Sequence, residues 1–269
     1  MHLRAVHNKQ TFGSSQFAGT GQPSPSLTSE RANFEGRPIR NGILLSLPES
    51  EFQAVRPLLS FEYLPSHASL HEPGDKLEYV HFPNRGLVSV VVVTREGRTV
   101  EVGVVGNEGL SGTGAFVGLP RYPHRAVVQI AGDGFRVRAE ALRSLLASCP
   151  YLQHICCRHA VLQGMQAAQS AACNRLHGIE QRLARWLLMT HDRVDNGYLA
   201  ITHDFLATML GTDRPSVSLA AALLQRKTAI EYTRGAVRIV NRQVLEESAC
   251  ECYAVIQQYD SFIGLKSPE

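Results

Sequence analysis

The chain has 269 residues, 44% of them hydrophobic and 19% charged, and its 27 Lys and Arg against 24 Asp and Glu give a net charge of +3. This is globular composition, which excludes wholesale disorder, and the length suits two modest domains. The longest strongly apolar run, Leu87 to Val93 broken only by Ser89, is far short of the roughly 20 residues of a membrane-spanning helix, and +3 is too small to argue nucleic-acid binding unless it is concentrated locally.

Residues 1–40 lack the apolar core of a secretory signal and are rich in Ser, Gly, Gln and Pro around Gly19 to Ser29, so a flexible tail is expected. From Ile43 to Leu59 the pattern predicts two short helical pieces split at Pro48. Short runs rich in Val, Tyr and Phe follow: Tyr79 to Phe82, Leu87 to Val93, Thr99 to Val105, Ala126 to Ile130 and Phe135 to Val137. Turn signals separate them at Pro73-Gly74-Asp75, Asn84-Arg85-Gly86, Glu96-Gly97 and Gly132-Asp133-Gly134. Many short strands at close spacing predict a small antiparallel barrel or jelly roll.

Tyr151 to Val194 has no proline and only two glycines, and is dominated by helix formers. It predicts a helix to about His177 and a second from Ile179 to His191. Leu152, Ile155, His159, Leu162, Gln166 and Cys173 recur on the first at spacings of three and four. Such a stripe suits a helix packed on its own domain or, the preferred reading, a dimer seam.

In THDFLATMLGTDRPSVSLAAALL, from Thr202 to Leu224, two helical segments meet at Gly211, with Ala207 four residues before it and Val217 six after. A helix-turn-helix needs that order: a small residue where the helices press together, a glycine in the tight turn and an apolar anchor on the second helix. Asp213 can cap the second helix, and Pro215 is tolerated in its first turn. A β-hairpin wing is predicted from Ile230 to Tyr232 and Ala236 to Val240, around Thr233-Arg234-Gly235. The competing reading is an ordinary helical hairpin before a β-hairpin. Between Arg214 and Arg242, however, six basic residues face Glu231 alone, which favours nucleic acid. A second helix in the major groove makes Arg214, Pro215, Ser218 and Leu219 the base-reading candidates. Thr202, His203, Asp213, Ser216 and Arg234 are the phosphate-contact candidates.

All six cysteines lie from Cys149 onward, which fits a reducing cytoplasm. Cys156, Cys157 and Cys173 and the Cys250-Glu251-Cys252 run fit no zinc spacing, so buried helical cysteine is preferred and no metal is expected. His67, His71, His81 and His124 are read as surface or core residues, and the five glycines between Gly106 and Gly118 as a barrel turn. No catalytic motif is present, so no enzyme, catalytic residue or cofactor is expected.

The segments ITHDFLATMLGTDRPSV and LHEPGDKLEYVHFPNRGLVSVVVVTREGRTVEVGVVG resemble the Crp/Fnr family of bacterial transcription regulators, over about Leu44 to Val240 and with Gly74, Gly86 and Gly97 at family strand turns. The resemblance implies an α+β chain. Its parts would be a tail (1–40), a cyclic-nucleotide-binding-like antiparallel β-roll, jelly-roll-like (41–148), a dimerisation helix (149–178), a winged helix-turn-helix domain (179–245), and a C-terminal helix and tail (246–269). It implies a homodimer on a palindromic operator, with double-stranded DNA, a second copy and RNA polymerase as partners and no membrane. The effector pocket would involve Gly112, Gly114, Arg125 and Ala126. Arg125 matches the family's phosphate-holding Arg, but Ser111 to Phe116 supplies no Glu for a ribose, and Ala167 and Ala168 stand where nucleotide binders carry hydroxyls. Cyclic AMP is therefore not the expected effector, whose identity stays open. With no cysteine before Cys149, the family's N-terminal iron–sulfur cluster is excluded. Pro215 and Leu219 replace the Glu and second Arg of well-known members, so the operator should differ. The alternative from another class is a ligand-binding signalling module whose helix-turn-helix makes protein contacts.

Overall fold

The computed structural model describes residues 31–194, 198–233 and 235–262, with side chains as far as residue 259. Most of the expected tail, 1–30, lies outside the described residues. Residues 31–40 depart from that expectation: Asn33 and Ile39 are buried, and Arg31 donates to the carbonyls of Leu44, Leu45 and Leu47. Asn84 fixes the segment to the roll, accepting from Arg40 N and donating to Pro38 O.

Two short helices follow, α1 (Gly42–Ser46), capped by the Asn41 side chain, and α2 (Glu49–Val55), which starts after Pro48. The antiparallel roll comprises β1 (Ser60–Leu64), β2 (Ser69–His71), β3 (Tyr79–Val93), β4 (Thr99–Val105) and β5 (Arg125–Arg138), in the order β1-β5-β3-β4 with β2 also on β5. β3 and β5 are each one continuous strand where two were expected. Asn84-Arg85-Gly86 and Gly132-Asp133-Gly134 are facing irregularities in one ladder, with Arg85 opposite Asp133. The backbones press so close there that a Cβ on Gly86 would lie 2.5 Å from Ile130 O, and one on Gly132 would meet Arg85 O. Glycine is needed for that approach, and such glycines look like turns in a sequence.

α3 (Ala139–Leu146) closes the roll, and α4 (Pro150–Leu176) runs along it. The α4 N-terminus is held by Glu51 of α2, whose carboxylate accepts from Tyr151 N and Leu152 N at 3.0 and 2.7 Å, a charge well placed against the helix dipole. The six side chains expected to form a dimer seam face their own chain instead. Leu152 and Ile155 join the roll core, and Leu162 is also buried. His159 Nε2 sits between Leu110 N and O at 3.2 and 3.0 Å, Gln166 Oε1 accepts from Val104 N, and Cys173 meets Cys250. The spacing marked a buried face correctly, but the chain itself buries it.

α5 (Ile179–His191) leads into α6 (His203–Leu210), α7 (Arg214–Arg226), and a three-stranded sheet of β6 (Tyr198–Leu199), β8 (Ala236–Ile239) and β7 (Ile230–Thr233) in that order. α8 (Arg242–Ser248) and α9 (Cys252–Phe262) complete the described chain. One hydrophobic cluster unites α5, α6, α7 and the wing with Val91 of the roll, and Val127 and Ile130 pack against it. No described helix is long and apolar enough to cross a membrane.

Candidate nucleic-acid interface

The two-helix element is built from local cap chemistry. Thr202 caps α6 by accepting from Phe205 N, and keeps its own hydroxyl proton to donate outward. α6 ends at Gly211, whose left-handed φ of +60° lets Thr212 N reach Ala207 O at 2.9 Å. α7 starts under Asp213, which accepts from both Ser216 N and Ser216 Oγ at 2.8 and 2.9 Å. Pro215 occupies its first turn. Leu206, Ala207, Val217, Ala220 and Leu224 lie in the crossing between the helices and are buried.

Those contacts decide what faces outward. Arg214 is 65% exposed, with Asp204 of α6 at 3.5 Å, and Pro215 and Leu219 are exposed beside it. Ser218 turns inward: its Oγ lies 2.9 Å from His203 Nδ1, and the His203 ring stacks on Tyr232 of the wing with centroids 4.0 Å apart. Ser218 Oγ therefore fastens α7 to α6. Burial, with Arg214 nearby, holds the His203 ring below the ordinary imidazole range, so it is neutral near pH 7. Asp213 and Ser216 spend their polar groups on each other. The Ser216 bonds hold the Asp213 carboxyl below its usual range, and a carboxylate there repels phosphate. These two residues cap α7. Arg234 lies outside the described residues. Arg226, one of the six basic residues of the run, is exposed at the far end of α7; it is the exposed-face position reached from Leu219 in about two turns.

The basic run from Arg214 to Arg242 is not a continuous free patch. Lys227 pairs with Glu180 at 2.5 Å, Arg238 with Glu231 at 3.9 Å, and Arg242 with both Asp192 and Glu246 at 2.8 Å. Arg242 also meets Tyr253, so it ties α5, α8 and α9 together.

Residues 181–248 match the sequence profile of the Crp-like helix-turn-helix domain. Among solved structures, the chain resembles FixK2 of Bradyrhizobium japonicum at a TM-score of 0.61 and 16% identity, over 71% of this chain and 98% of that one. A transcriptional regulator of the CRP family from Thermus thermophilus aligns at 0.58 and 20%, over 70% and 96%. CLP of Xanthomonas campestris, a c-di-GMP-responsive global regulator, aligns at 0.57 and 16%, over 71% and 97%. No curated protein matches in sequence. The chain is of Crp/Fnr type in fold and in its helix-turn-helix domain.

Within the Crp/Fnr-type roll, the expected effector residues do not converge on a cavity. Arg125 donates to Glu72 at 2.8 Å, and Ala126 is buried among Val88, Val90 and Val105. Gly112 faces the backbone of Tyr79, and Gly114 the ring of Tyr122. The cavity beside them, between roll and α4, measures about 200 Å³ and is lined by Val90, Val102, Thr113, Tyr122, His124 and Ala167, among others. The Thr113 and Tyr122 hydroxyls are 3.2 Å apart, and burial keeps His124 below its usual pKa. Arg125 has an acidic partner, Glu72, that its own motif did not reveal.

Proposed function

We propose that the protein is a sequence-specific DNA-binding transcription regulator that acts as a homodimer on an inverted-repeat operator. The observation that carries this reading is α7, which presents Arg214, Pro215 and Leu219 outward at its first turns with the wing alongside. An α-helix fills a major groove, an Arg at its start can grip guanine O6 and N7, and Pro and Leu suit thymine methyl groups. Thr202 stands at the neighbouring helix start with a hydroxyl for phosphate.

The dimer is assigned to the outward side of α4. His154, Cys157, Val161, Gly164, Ala168, Ala171 and Arg175 are all exposed at alternating spacings of three and four, and the small residues among them let two helices approach closely. RNA polymerase is the expected further partner, and a reducing cytoplasm the setting. Two features support an effector other than cyclic AMP: a cavity of about 200 Å³, below the roughly 300 to 1,000 Å³ usual for small-molecule sites, and the pairing of Arg125 with Glu72.

The test is a genome-wide map of bound sites followed by titration of the recovered DNA. An inverted repeat with half-site centres about 34 to 36 Å apart, 10 to 10.5 base pairs, is expected, with affinity unchanged by cyclic AMP. No enrichment, and no salt-dependent retention on heparin, would favour a module whose helices contact protein.

A further inference from the structure

Away from the reading surface, the described residues hold one compact group of soft metal ligands. Cys173 in the last turn of α4, His177 just beyond it, and Cys250 and Cys252 around the α8–α9 connection place one ligand atom each within 4.8 Å of all the others. Cys173 Sγ lies 3.4 Å from Cys250 Sγ, and Cys252 Sγ 3.5 Å from His177 Nδ1. In a tetrahedral zinc site, bonds of about 2.3 Å to sulfur and 2.0 to 2.1 Å to nitrogen put adjacent sulfurs roughly 3.8 Å apart, and sulfur and nitrogen roughly 3.6 Å. The Cys173–Cys250 and Cys252–His177 distances lie within a few tenths of an ångström of those two edges, and the remaining pairs, all within 4.8 Å, need only a small inward shift to close around one ion. The group is too tight for the ligands of a multi-iron cluster, which must straddle several metals.

The surroundings are arranged as a metal's outer shell. His177 Nε2 is 3.1 Å from Glu251 Oε1, the residue between the two cysteines, so a carboxylate orients the imidazole and leaves Nδ1 facing the thiols. Gln169 Nε2 donates to Cys252 Sγ at 3.0 Å. Arg182 and Arg185 lie near enough to act on Cys173 electrostatically, opposing the net negative charge of three thiolates around a dication. The three cysteines are buried and His177 partly exposed, which leaves a route of entry.

We propose that Cys173, His177, Cys250 and Cys252 form a closed, four-ligand site for a single divalent zinc-class ion. Its ligands come from two places 77 positions apart in the chain, so the ion clamps the end of α4 to the α8–α9 connection, across the Gly178 junction that leads into the helix-turn-helix domain. The site stands independently of DNA binding.

The full chain, purified without chelator or nickel resin, should carry about one zinc per chain by mass spectrometry of the metal. The metal-free protein titrated with Co²⁺ should develop the intense visible bands and sulfur-to-cobalt charge transfer of a tetrahedral thiolate site. Cys250→Ser and Cys252→Ser should lose both signals, while Cys157→Ser, exposed on α4 outside the group, should keep them. Because buried cysteine variants can fail to fold, Glu251→Gln, at an exposed side chain, serves as a second probe. It should weaken Zn²⁺ binding roughly 10- to 100-fold with unchanged circular dichroism. A chain that takes up neither ion stoichiometrically, a Glu251→Gln protein with unaltered affinity, or a Cys173–Cys250 disulfide in place of metal would overturn the proposal.

Discussion

Arg214 concentrates the specificity argument at a single residue. Its guanidinium is exposed and its partner, Asp204, is equally exposed, so the pair is weak and can be exchanged for a base edge. Arg214→Ala should cost roughly 1 to 3 kcal/mol of operator affinity and relax preference at one base position. Competition between operator and random DNA checks this; an equal loss on both would make Arg214 a phosphate contact. Glu101 gives a second prediction. It accepts from Ser89 Oγ at 2.6 Å and Trp186 Nε1 at 2.8 Å, and burial pushes its pKa from the usual 4.5 to about 7. Between those values the folded chain holds a proton that the unfolded chain has released. Stability therefore falls as pH rises through that window, and the contribution is lost above it. Glu101→Gln removes the titrating group while leaving one amide oxygen to accept from Trp186 Nε1, and should remove a slope worth on the order of 3 kcal/mol, read from urea melts of the two proteins across the window.

At the scale of the element, α4 shows what periodicity can and cannot say. The repeat of Leu152, Ile155, His159, Leu162 and Gln166 was legible as one buried face, but it carries no mark of which molecule does the burying. The polar members show it: His159 and Gln166 bond to the backbone of Leu110 and Val104 in the same chain. Two substitutions one residue apart should therefore behave differently. Val161→Glu, at a position 61% exposed, should split the dimer with circular dichroism unchanged, whereas Leu162→Glu, at 7%, places a charge in the chain's own core and should unfold it. Sedimentation with circular dichroism separates the outcomes; a Val161→Glu protein that stays dimeric would remove this face from the interface. Helix ends were legible because Pro48, Pro150 and Gly211 punctuate them. The roll's long strands were not, because a glycine needed for close backbone approach reads like a glycine needed for a turn. The cysteine group was hidden for a different reason: the zinc spacings sought within one segment cannot reveal ligands contributed by two.

On the scale of the whole molecule, charge was legible as a number and not as a surface, since Lys227 pairs with Glu180 of α5 and Arg242 with Asp192 in the turn after it. Composition marked the change from short strands to long helices near Pro150, but the contact across that change was not legible. Val91 of β3 shares a cluster with α5, α6 and α7, Leu87 and Val104 pack with Met189, and Trp186 bonds to Glu101 across the same boundary. A Cβ on Gly211 would lie 3.2 Å from Val100 of β4, so the turn between α6 and α7 rests on the roll. The consequence concerns cooperativity. Two halves with separate interiors can melt one at a time; halves that share an interior lose it together. Calorimetry should then record a single transition whose van't Hoff and calorimetric enthalpies agree, and amide protons in α6 and β4 should exchange by the same global opening; two resolved transitions would mean that the shared interior does not hold the halves together.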